Sequence, residues 1–485
     1  MSELTSSHGL DMPRPNYRTT AVIIASAMFM EQLDSTVLAT ALPTMARYFD
    51  VTPSHMSVAL TSYLLSLAVL IPASGHVADR FGARTVFSTA IVIFTVSSIL
   101  CAQAPTLPLL VAARLLQGAG GAMMIPVGRL VLLRSVDRAD LVSAMSWLLV
   151  PALIGPIVGP PVGGLIVTYL AWRWIFYINV PIGVLGIALT SLFIPNTRST
   201  TRQRFDVFGF VLSGVSLACL LFGFETASRG VGETSVAFAL IGAGLVSGLA
   251  YVVYALRAKR TPILDLSLMR IRTFGVSVVA GSLSRITQGA QPFLLPLMMQ
   301  LTFGMSAAES GLITFATACG SMMMKAAAMP ILRRFGFRNT LFWNGVVSSA
   351  LYAVCAAFRS WWPHWALFVV LGICGFSMSL QFTAYNTVAY DDVPAERTAS
   401  ANSFYTTFQQ LMLSFGICAG ALALTISKAV SGHTSASVGD FSAAFLIVTA
   451  ISILAAPVCL GYPLNAGAVM SGHKRKEEME LDSVN

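Results

Sequence analysis

The chain has 485 residues, of which 55% are hydrophobic and only 11% are charged, and its mean hydropathy is +0.74. Soluble domains carry roughly 25% charged residues, so this composition excludes a soluble globular protein, a disordered chain and a collagen-like fibre. The net charge of +9 does not indicate nucleic-acid binding, because most basic residues lie in short loops between long apolar runs. The composition predicts an all-α polytopic membrane protein.

Fourteen apolar runs are long enough to cross a hydrocarbon core about 30 Å thick. The first run is too long for the apolar core of a signal peptide, and it carries Glu31 and Asp34, so we expect it to be the first span. The predicted spans lie near residues 20–42, 56–75, 86–105, 107–128, 142–167, 174–195, 207–227, 236–256, 274–300, 309–331, 340–358, 365–387, 400–427 and 442–463.

The basic residues set the expected orientation of these spans. Of the 30 Lys and Arg residues, 22 fall in the terminal segments and in the loops on the same side, 5 fall in the opposite loops, and Arg114, Arg285 and Lys325 fall within spans. Cytoplasmic loops carry the excess of Lys and Arg. We therefore expect a multi-pass protein of the cell (inner) membrane with both termini in the cytoplasm and an even number of spans.

Two segments that lie eight spans apart resemble each other. Residues 75–84 (GHVADRFGAR) follow the second span, and residues 330–338 (PILRRFGFR) follow the tenth. Weak internal symmetry of this kind is typical of transporters that are built from repeats. If two six-span bundles repeat, a shift of eight leaves spans seven and eight between them. The predicted parts are an N-terminal bundle at 1–195, two linker helices at 196–272, a C-terminal bundle at 273–463 and a polar cytoplasmic tail at 464–485.

Five segments, in order and spacing, resemble those of a known transporter family. They are residues 33–43 (LDSTVLATALP), 75–84, 114–118 (RLLQG), 155–164 (GPIVGPPVGG) and 172–183 (WRWIFYINVPIG). Together they are similar to the major facilitator superfamily, and within it to the fourteen-spanner drug:proton antiporter branch of the EmrB/QacA type. The second half, from Arg285 to Gln410, looks most like a multidrug exporter subgroup of that branch.

The resemblance implies a major facilitator fold of two six-helix bundles plus two extra central helices. It implies secondary active transport by alternating access, with proton-coupled efflux of amphipathic drugs or toxic compounds and no enzymatic activity. The implied partners are protons, a small-molecule substrate and the lipid bilayer, without nucleic acid, cofactor or metal. We expect a monomer, and an accessory envelope protein is left open.

Glu31 and Asp34 are the predicted proton-coupling acids. They lie three residues apart, on one face of the first span, and a carboxylate within a span usually faces the bundle interior or a water-filled cavity. Arg114 should lie roughly 10 Å below the outer boundary and Asp34 about 9 Å below it, at 1.5 Å per residue. We therefore expect the two side chains to be close, and the resemblance assigns Arg114 to proton transfer. A purely structural ion pair is the alternative.

Two further motifs are expected to act in the conformational change. Gly155, Gly159 and Gly163 form a bare stripe that permits close helix packing, and Pro156 and Pro160 favour a kink. The resemblance implies that this segment lets the bundles rock and seal, whereas ordinary tight packing is the alternative.

The loop at residues 75–84 is the second of these motifs. Gly75 and Gly82 should permit a tight turn, while Asp79 could pair with Arg80, with Arg84 or with a helix N-terminus of the other half. Ala83 replaces a basic residue that is usual in the family, so the contact between the halves is expected to be weaker or differently distributed.

The candidate substrate contacts are polar or charged residues of the spans. They are Gln117, Arg285, Gln288, Lys325, Gln381, Asn386, Tyr405 and Gln409. The cations Arg285 and Lys325 also favour a second function, the proton-coupled transport of a specific, anionic metabolite. Glu225, near the outer end of span seven and outside the core, is expected to be structural.

Overall fold

The computed structural model describes residues 17–135, 141–194, 205–228, 234–258 and 262–473, and this part of the chain is helical without strands. Two 3₁₀ helices, Leu266–Arg270 and Ala395–Arg397, precede α11 and α14. The α-helices are α1 (Tyr17–Tyr48), α2 (Pro53–Met56), α3 (Val58–Phe81), α4 (Ala83–Gln103), α5 (Leu107–Ser135), α6 (Leu141–Tyr169), α7 (Trp174–Tyr177), α8 (Asn179–Phe193), α9 (Val207–Ser228), α10 (Thr234–Arg257), α11 (Arg272–Leu301), α12 (Ala307–Cys355), α13 (His364–Val388), α14 (Thr398–Val430), α15 (Val438–Ser452), α16 (Ala455–Cys459) and α17 (Ala468–Ser471).

The helices confirm an all-α polytopic membrane protein. Within the described residues, eleven helices are long and apolar enough to cross a membrane. The longest of them, α12, contains the non-helical Gly336 and so comprises two helical segments. The long helices α6 and α11 fall at the fifth and ninth predicted spans. The set is consistent with the fourteen predicted spans.

The two similar loops have the same backbone device. Gly82 separates α3 from α4 with φ 95°, and Gly336 interrupts α12 with φ 71°. A positive φ strains residues that carry a Cβ, so glycine suits both positions. Gly75, in contrast, is helical within α3, and its Cβ position faces open space. The expected turn therefore depends on Gly82 alone, because α3 continues to Phe81.

The helices pack as two groups. Helices α1 to α8 contact one another extensively, as do α11 to α16. The first set is called the first group here and the second set the second group. Helices α9 and α10 pair with each other, and α9 also packs against α3 and α14, one from each group. The exact boundaries predicted for the four parts of the chain remain a prediction.

The two groups meet at one end of the bundle. We call the end with Asp50, opposite residues 17 and 473, the far end, and the other the near end. One apolar cluster at the far end contains residues of both groups, among them Leu42, Phe176, Leu297 and Phe441. Towards the near end, the groups have separate clusters. The structure is therefore sealed at the far end.

Polar and backbone contacts agree with this closure. Gln300 donates to the carbonyl of Thr40 at 3.0 Å, and the Ala308 amide donates to Thr168 at 3.0 Å. Described near-end bonds stay within a group, for example Arg84 to the Ser191 carbonyl and Arg272 to the Gly461 carbonyl. The groups are therefore held together at the far end and not bonded across the near end in the described residues.

The far-end seal depends on a close approach of α6 and α12. A Cβ on Gly311 would lie 2.3 Å from the Pro160 carbonyl oxygen, whereas a Cβ on Gly242 would meet nothing within 4 Å. Gly311→Ala should therefore disfavour the closed form by about 1–3 kcal/mol. Spin labels on Tyr169→Cys and Leu301→Cys, in a background without native cysteines, should report a larger far-end distance. A distance distribution equal to that of the matched Gly242→Ala control would contradict this role of the contact.

Candidate functional site

A buried ion pair joins α1 to α5. Arg114 Nη1 lies 2.6 Å from Asp34 Oδ2, and the two residues are 0% and 3% exposed. The expected proximity is confirmed, because two antiparallel spans bring residues of equal depth to the same level. A buried charge pair is tolerable only if hydrogen bonds satisfy its remaining atoms, and the surrounding residues supply several.

The second carboxylate oxygen of Asp34 accepts two amide donors. Gln117 Nε2 lies 2.9 Å and Asn179 Nδ2 lies 3.0 Å from Oδ1. Both amides also donate to Ser98 Oγ, at 2.8 and 3.4 Å. Asp34 therefore has donors on both oxygens, and these come from two helices, α5 and α8.

Arg114 is fixed by further contacts on its other sides. Its Nε donates to the Ala59 carbonyl at 2.9 Å, its Nη1 also donates to Gln117 Oε1 at 2.6 Å, and its guanidinium lies 4.4 Å from the centre of the Tyr63 ring. A cation above an aromatic face is attracted to the ring. These contacts hold the guanidinium in addition to its bond with Asp34.

Glu31 lies one helical turn before Asp34 and is 3% exposed. Its Oε2 is buried, and no described residue provides a hydrogen-bond partner for it. A buried carboxylate oxygen that lacks a donor is costly when the group is charged. The arrangement puts two acids of different environment on one face of α1.

A cavity of about 330 Å³ lies between the two groups. Ser35, next to Asp34, is part of its wall. The other lining residues come from α1, α6, α11, α12 and α13: Thr36, Ala39, Thr40, Pro156, Ile157, Pro160, Gln288, Gln291, Pro292, Leu295, Pro296, Thr314, Thr317, Ala318, Ser321, Met322, Lys325, Met378 and Ser379. The cavity is the candidate ligand site, because both groups contribute residues to its wall. The ion pair of Asp34 and Arg114 lies next to the part of the wall that Ser35 forms.

Of the predicted substrate contacts, only Gln288 and Lys325 line this cavity. Gln117 belongs instead to the Asp34 network, because its amide is fully engaged there. Arg285 is 3% exposed and lies 4.7 Å from the centre of the Phe382 ring.

The remaining candidates contact their own group in this conformation. Gln381 accepts from Asn344 and donates to Tyr385, and Gln409 donates to Asn386 at 2.7 Å. Tyr405 is 2% exposed and packs against the Phe274 ring. None of these side chains lines the cavity, because each of them packs against or bonds to other side chains of the second group.

The glycine stripe of α6 packs against α1, within the first group. Cβ atoms on Gly155, Gly159 and Gly163 would lie within 3 Å of atoms of Gln32, Thr36 and Thr40. Pro156 and Pro160 line the cavity, and α6 continues through both prolines.

A neighbouring glycine makes the contact between the groups. A Cβ on Gly164 would lie 2.3 Å from the Ala307 carbonyl oxygen of α12. One face of α6 is therefore fixed to α1, and an adjacent face closes the far end.

The loop at residues 75–84 makes no described contact with the second group. Arg84 Nη2 donates to the Ser191 carbonyl of α8 at 2.5 Å, and the Arg80 guanidinium lies 5.5 Å from the Phe81 ring. Asp79 has an interaction as well. A contact of this loop with the other half therefore remains a prediction for a different conformation.

Sequence reasoning missed two side chains of the Asp34 network and misjudged the position of Glu225. Asn179 and Ser98 complete the Asp34 network, and Asn179 already stands in the motif at residues 172–183. Glu225 was expected outside the core, yet it is fully buried and accepts from Ser57 Oγ at 3.1 Å and from Cys418 Sγ at 3.7 Å. The sequence signal that could have indicated the burial of Glu225 is its position as a single acid within an apolar run.

The family assignment follows from comparison with known proteins. The model of the Major Facilitator Superfamily matches residues 24–417 and 278–478. The chain belongs to this superfamily. The protein is accordingly a multi-pass membrane transporter of a small-molecule substrate and not an enzyme.

Facilitators of known name are similar over nearly the whole chain. "Putative multidrug resistance protein MdtD" of Escherichia coli O6:H1 (strain CFT073) is 38% identical over 440 residues, which are 90% of this chain and 92% of that protein. The protein of the same name from Klebsiella pneumoniae (strain 342) is 39% identical over 405 residues, with 83% and 85% covered.

Solved facilitator structures share the fold at low sequence identity. The POT family transporter PepTSo matches with a TM-score of 0.69 at 14% identity, covering 92% of this chain and 98% of its own. The nucleoside transporter NupG matches with a TM-score of 0.62 at 16% identity and the same coverage.

The ion pair allows a stability prediction. Arg114→Gln leaves Asp34 as an uncompensated buried charge and should lower the free energy of unfolding by about 3–5 kcal/mol. The double variant Asp34→Asn, Arg114→Gln removes both charges and should recover most of that loss. The measurement is thermal unfolding of the purified protein in detergent.

Arg47→Gln is the matched control for this experiment, because Arg47 lies on α1 but is exposed. It should change the unfolding temperature little. A double variant that is no more stable than Arg114→Gln would show that the two charges do not compensate each other.

Proposed function

We propose that this protein is a proton-coupled antiporter that exports amphipathic drugs or toxic compounds by alternating access. The observation that carries the proposal is the position of Asp34, a buried acid paired with Arg114 immediately behind the wall of a cavity between the two groups. The names of its relatives, which refer to multidrug resistance, support export.

The proton step follows from the charges. Protonation of Asp34 would neutralise its carboxylate and weaken its attraction to Arg114, while the Tyr63 ring and the Ala59 carbonyl keep the guanidinium in place. The two protonation states would therefore favour different packing of α1 against α5. Glu31, buried without a donor on one oxygen, is proposed as a second proton carrier on the same face.

Coupling to substrate would pass through α1. Ser35 and Thr36 line the cavity directly after Asp34, so a bound compound would press on the same helical turn that holds the acid. A ligand shifts an equilibrium only by its differential affinity for the two states. A drug that favours one packing of α1 and a proton that favours the other would then exchange across the membrane.

The proposed orientation makes the structure a drug-loading form. With both termini in the cytoplasm of an inner-membrane protein, the far end faces outwards, so the sealed far end leaves the cavity accessible from inside. The ion pair corresponds to charged Asp34, as expected after proton release to the cytoplasm. We propose protons as the coupling ion, no cofactor and a monomeric unit; an accessory envelope protein would extend export beyond the inner membrane.

Asp34→Asn tests the proposal. In proteoliposomes with an imposed pH gradient, uptake of N-phenyl-1-naphthylamine against its gradient should fall at least about tenfold relative to the unchanged protein. Exchange of this compound at equal pH should persist, because the cavity is intact. Asp50→Asn is the matched carboxylate control, since Asp50 lies in an exposed turn with φ 52°, a conformation that Asn tolerates.

Two outcomes would contradict the proposal. The first is unchanged pH-driven uptake by Asp34→Asn. The second is uptake by the unchanged protein that follows a sodium gradient and ignores the pH gradient.

A further inference from the structure

Lys325 is the one ionisable side chain in the described wall of the central cavity. It lies on α12, in the second group, and it is exposed in this conformation. Every other lining residue is apolar, an amide, a hydroxyl residue or proline. A ligand inside the cavity thus meets a positive charge and no negative one.

Lys325 is not neutralised by the protein. Its Nζ donates to Thr383 Oγ1 at 3.3 Å, and no carboxylate of the described residues lies within ion-pair distance of it. Cations within membrane spans normally pair with an anionic group or a carbonyl, or face a water-filled cavity. Lys325 is therefore available to a partner that arrives from outside the protein.

Arg285 adds a second positive charge nearby. Its guanidinium stacks over Phe382, the residue next to Thr383 in α13, and no described carboxylate forms an ion pair with it. The acids of α1 do not offset these charges, because Asp34 is already paired with Arg114 and Glu31 is not part of the cavity wall. The second group therefore gives its side of the cavity a positive potential.

The rest of the cavity is suited to an apolar body. Pro292, Leu295 and Pro296 of α11 and Ile157 and Pro160 of α6 line it, and Met322 and Met378 add adaptable surface. Gln288 and Gln291 provide amides on the α11 wall. A molecule with an apolar ring system and one acidic group would meet matching chemistry at both of its ends.

We infer that the cavity takes amphipathic anions in preference to lipophilic cations, with the acidic group bound by Lys325. The inference rests on the proposed function and names the substrate class of the same cavity. Neutral amphipathic compounds would bind through the apolar walls alone, and lipophilic cations would be repelled by Lys325 and Arg285.

Three probes with one molecular frame test the charge preference. They are N-phenyl-1-naphthylamine, its 8-sulfonate and its 8-trimethylammonium analogue. Binding is measured by equilibrium dialysis against the purified protein in lipid nanodiscs, with empty nanodiscs subtracted. The unchanged protein should bind the sulfonate about tenfold more tightly than the trimethylammonium analogue.

Variants of Lys325 separate its charge from its size. Lys325→Gln should weaken sulfonate binding about tenfold and leave the neutral probe within about twofold, as expected for one partly shielded ion pair. Lys325→Glu should invert the preference in favour of the trimethylammonium analogue, and Lys325→Arg should retain sulfonate binding. Lys428→Gln is the matched control, because Lys428 lies in the last turn of α14, outside the cavity wall.

Each outcome decides the inference. Equal binding of the two charged probes by the unchanged protein overturns it, as does full sulfonate binding by Lys325→Gln. The proposed function fails separately, if the neutral probe is not taken up in response to a pH gradient. A charge preference in dialysis without pH-driven uptake would support the anion site and contradict proton-coupled transport. Uptake driven by pH without a charge preference would support the transport and contradict the anion site.

Discussion

The ion pair of Asp34 and Arg114 is the interaction on which the first group depends. Two charges inside a membrane bundle are stable only together and with hydrogen-bond partners for their remaining atoms. Gln117 from α5 and Asn179 from α8 donate to Asp34, and the Ala59 carbonyl from α3 accepts from Arg114. Four helices thereby meet at one ion pair. If Asp34 gains and loses a proton, as the proposed function requires, the contacts of all four helices with the pair are affected at the same time.

Much of this arrangement could be predicted from the sequence, because membrane spans fix depth. Counting residues from the span ends placed Asp34 and Arg114 at one level, and the structure joins them at 2.6 Å. The repeated Gly82 and Gly336 could likewise be found, since each stands in the middle of a five-residue segment that has arginine at both ends, RFGAR and RFGFR. Depth and turns are local properties of a chain that must cross a slab of known thickness.

The direction in which each helix turns its side chains could not be predicted from the sequence. Gln117 and Gln288 are both amides within spans, yet Gln117 bonds to Asp34 and Gln288 lines the cavity. Glu225 was placed outside the core, because nothing in the sequence shows that the far end of α9 packs between α3 and α14. Which face of a span contacts protein and which contacts lipid depends on tertiary packing. An apolar run is hydrophobic on all sides, so its sequence does not indicate which face is buried.

The buried Glu225 connects α9 to both groups at the far end. Its carboxylate accepts from Ser57, in the first group, and from Cys418, in the second, while Ser228 on the same helix receives a bond from Thr425. If the two groups separate at the far end, α9 cannot keep both sets of contacts. It can keep its contacts with one group only, and the polar atoms of the other group that lose their bonds to α9 then need water or a new partner. The far-end seal is thus made of three bodies, and the cost of opening it includes the bonds of α9 as well as the apolar contact of α6 with α12.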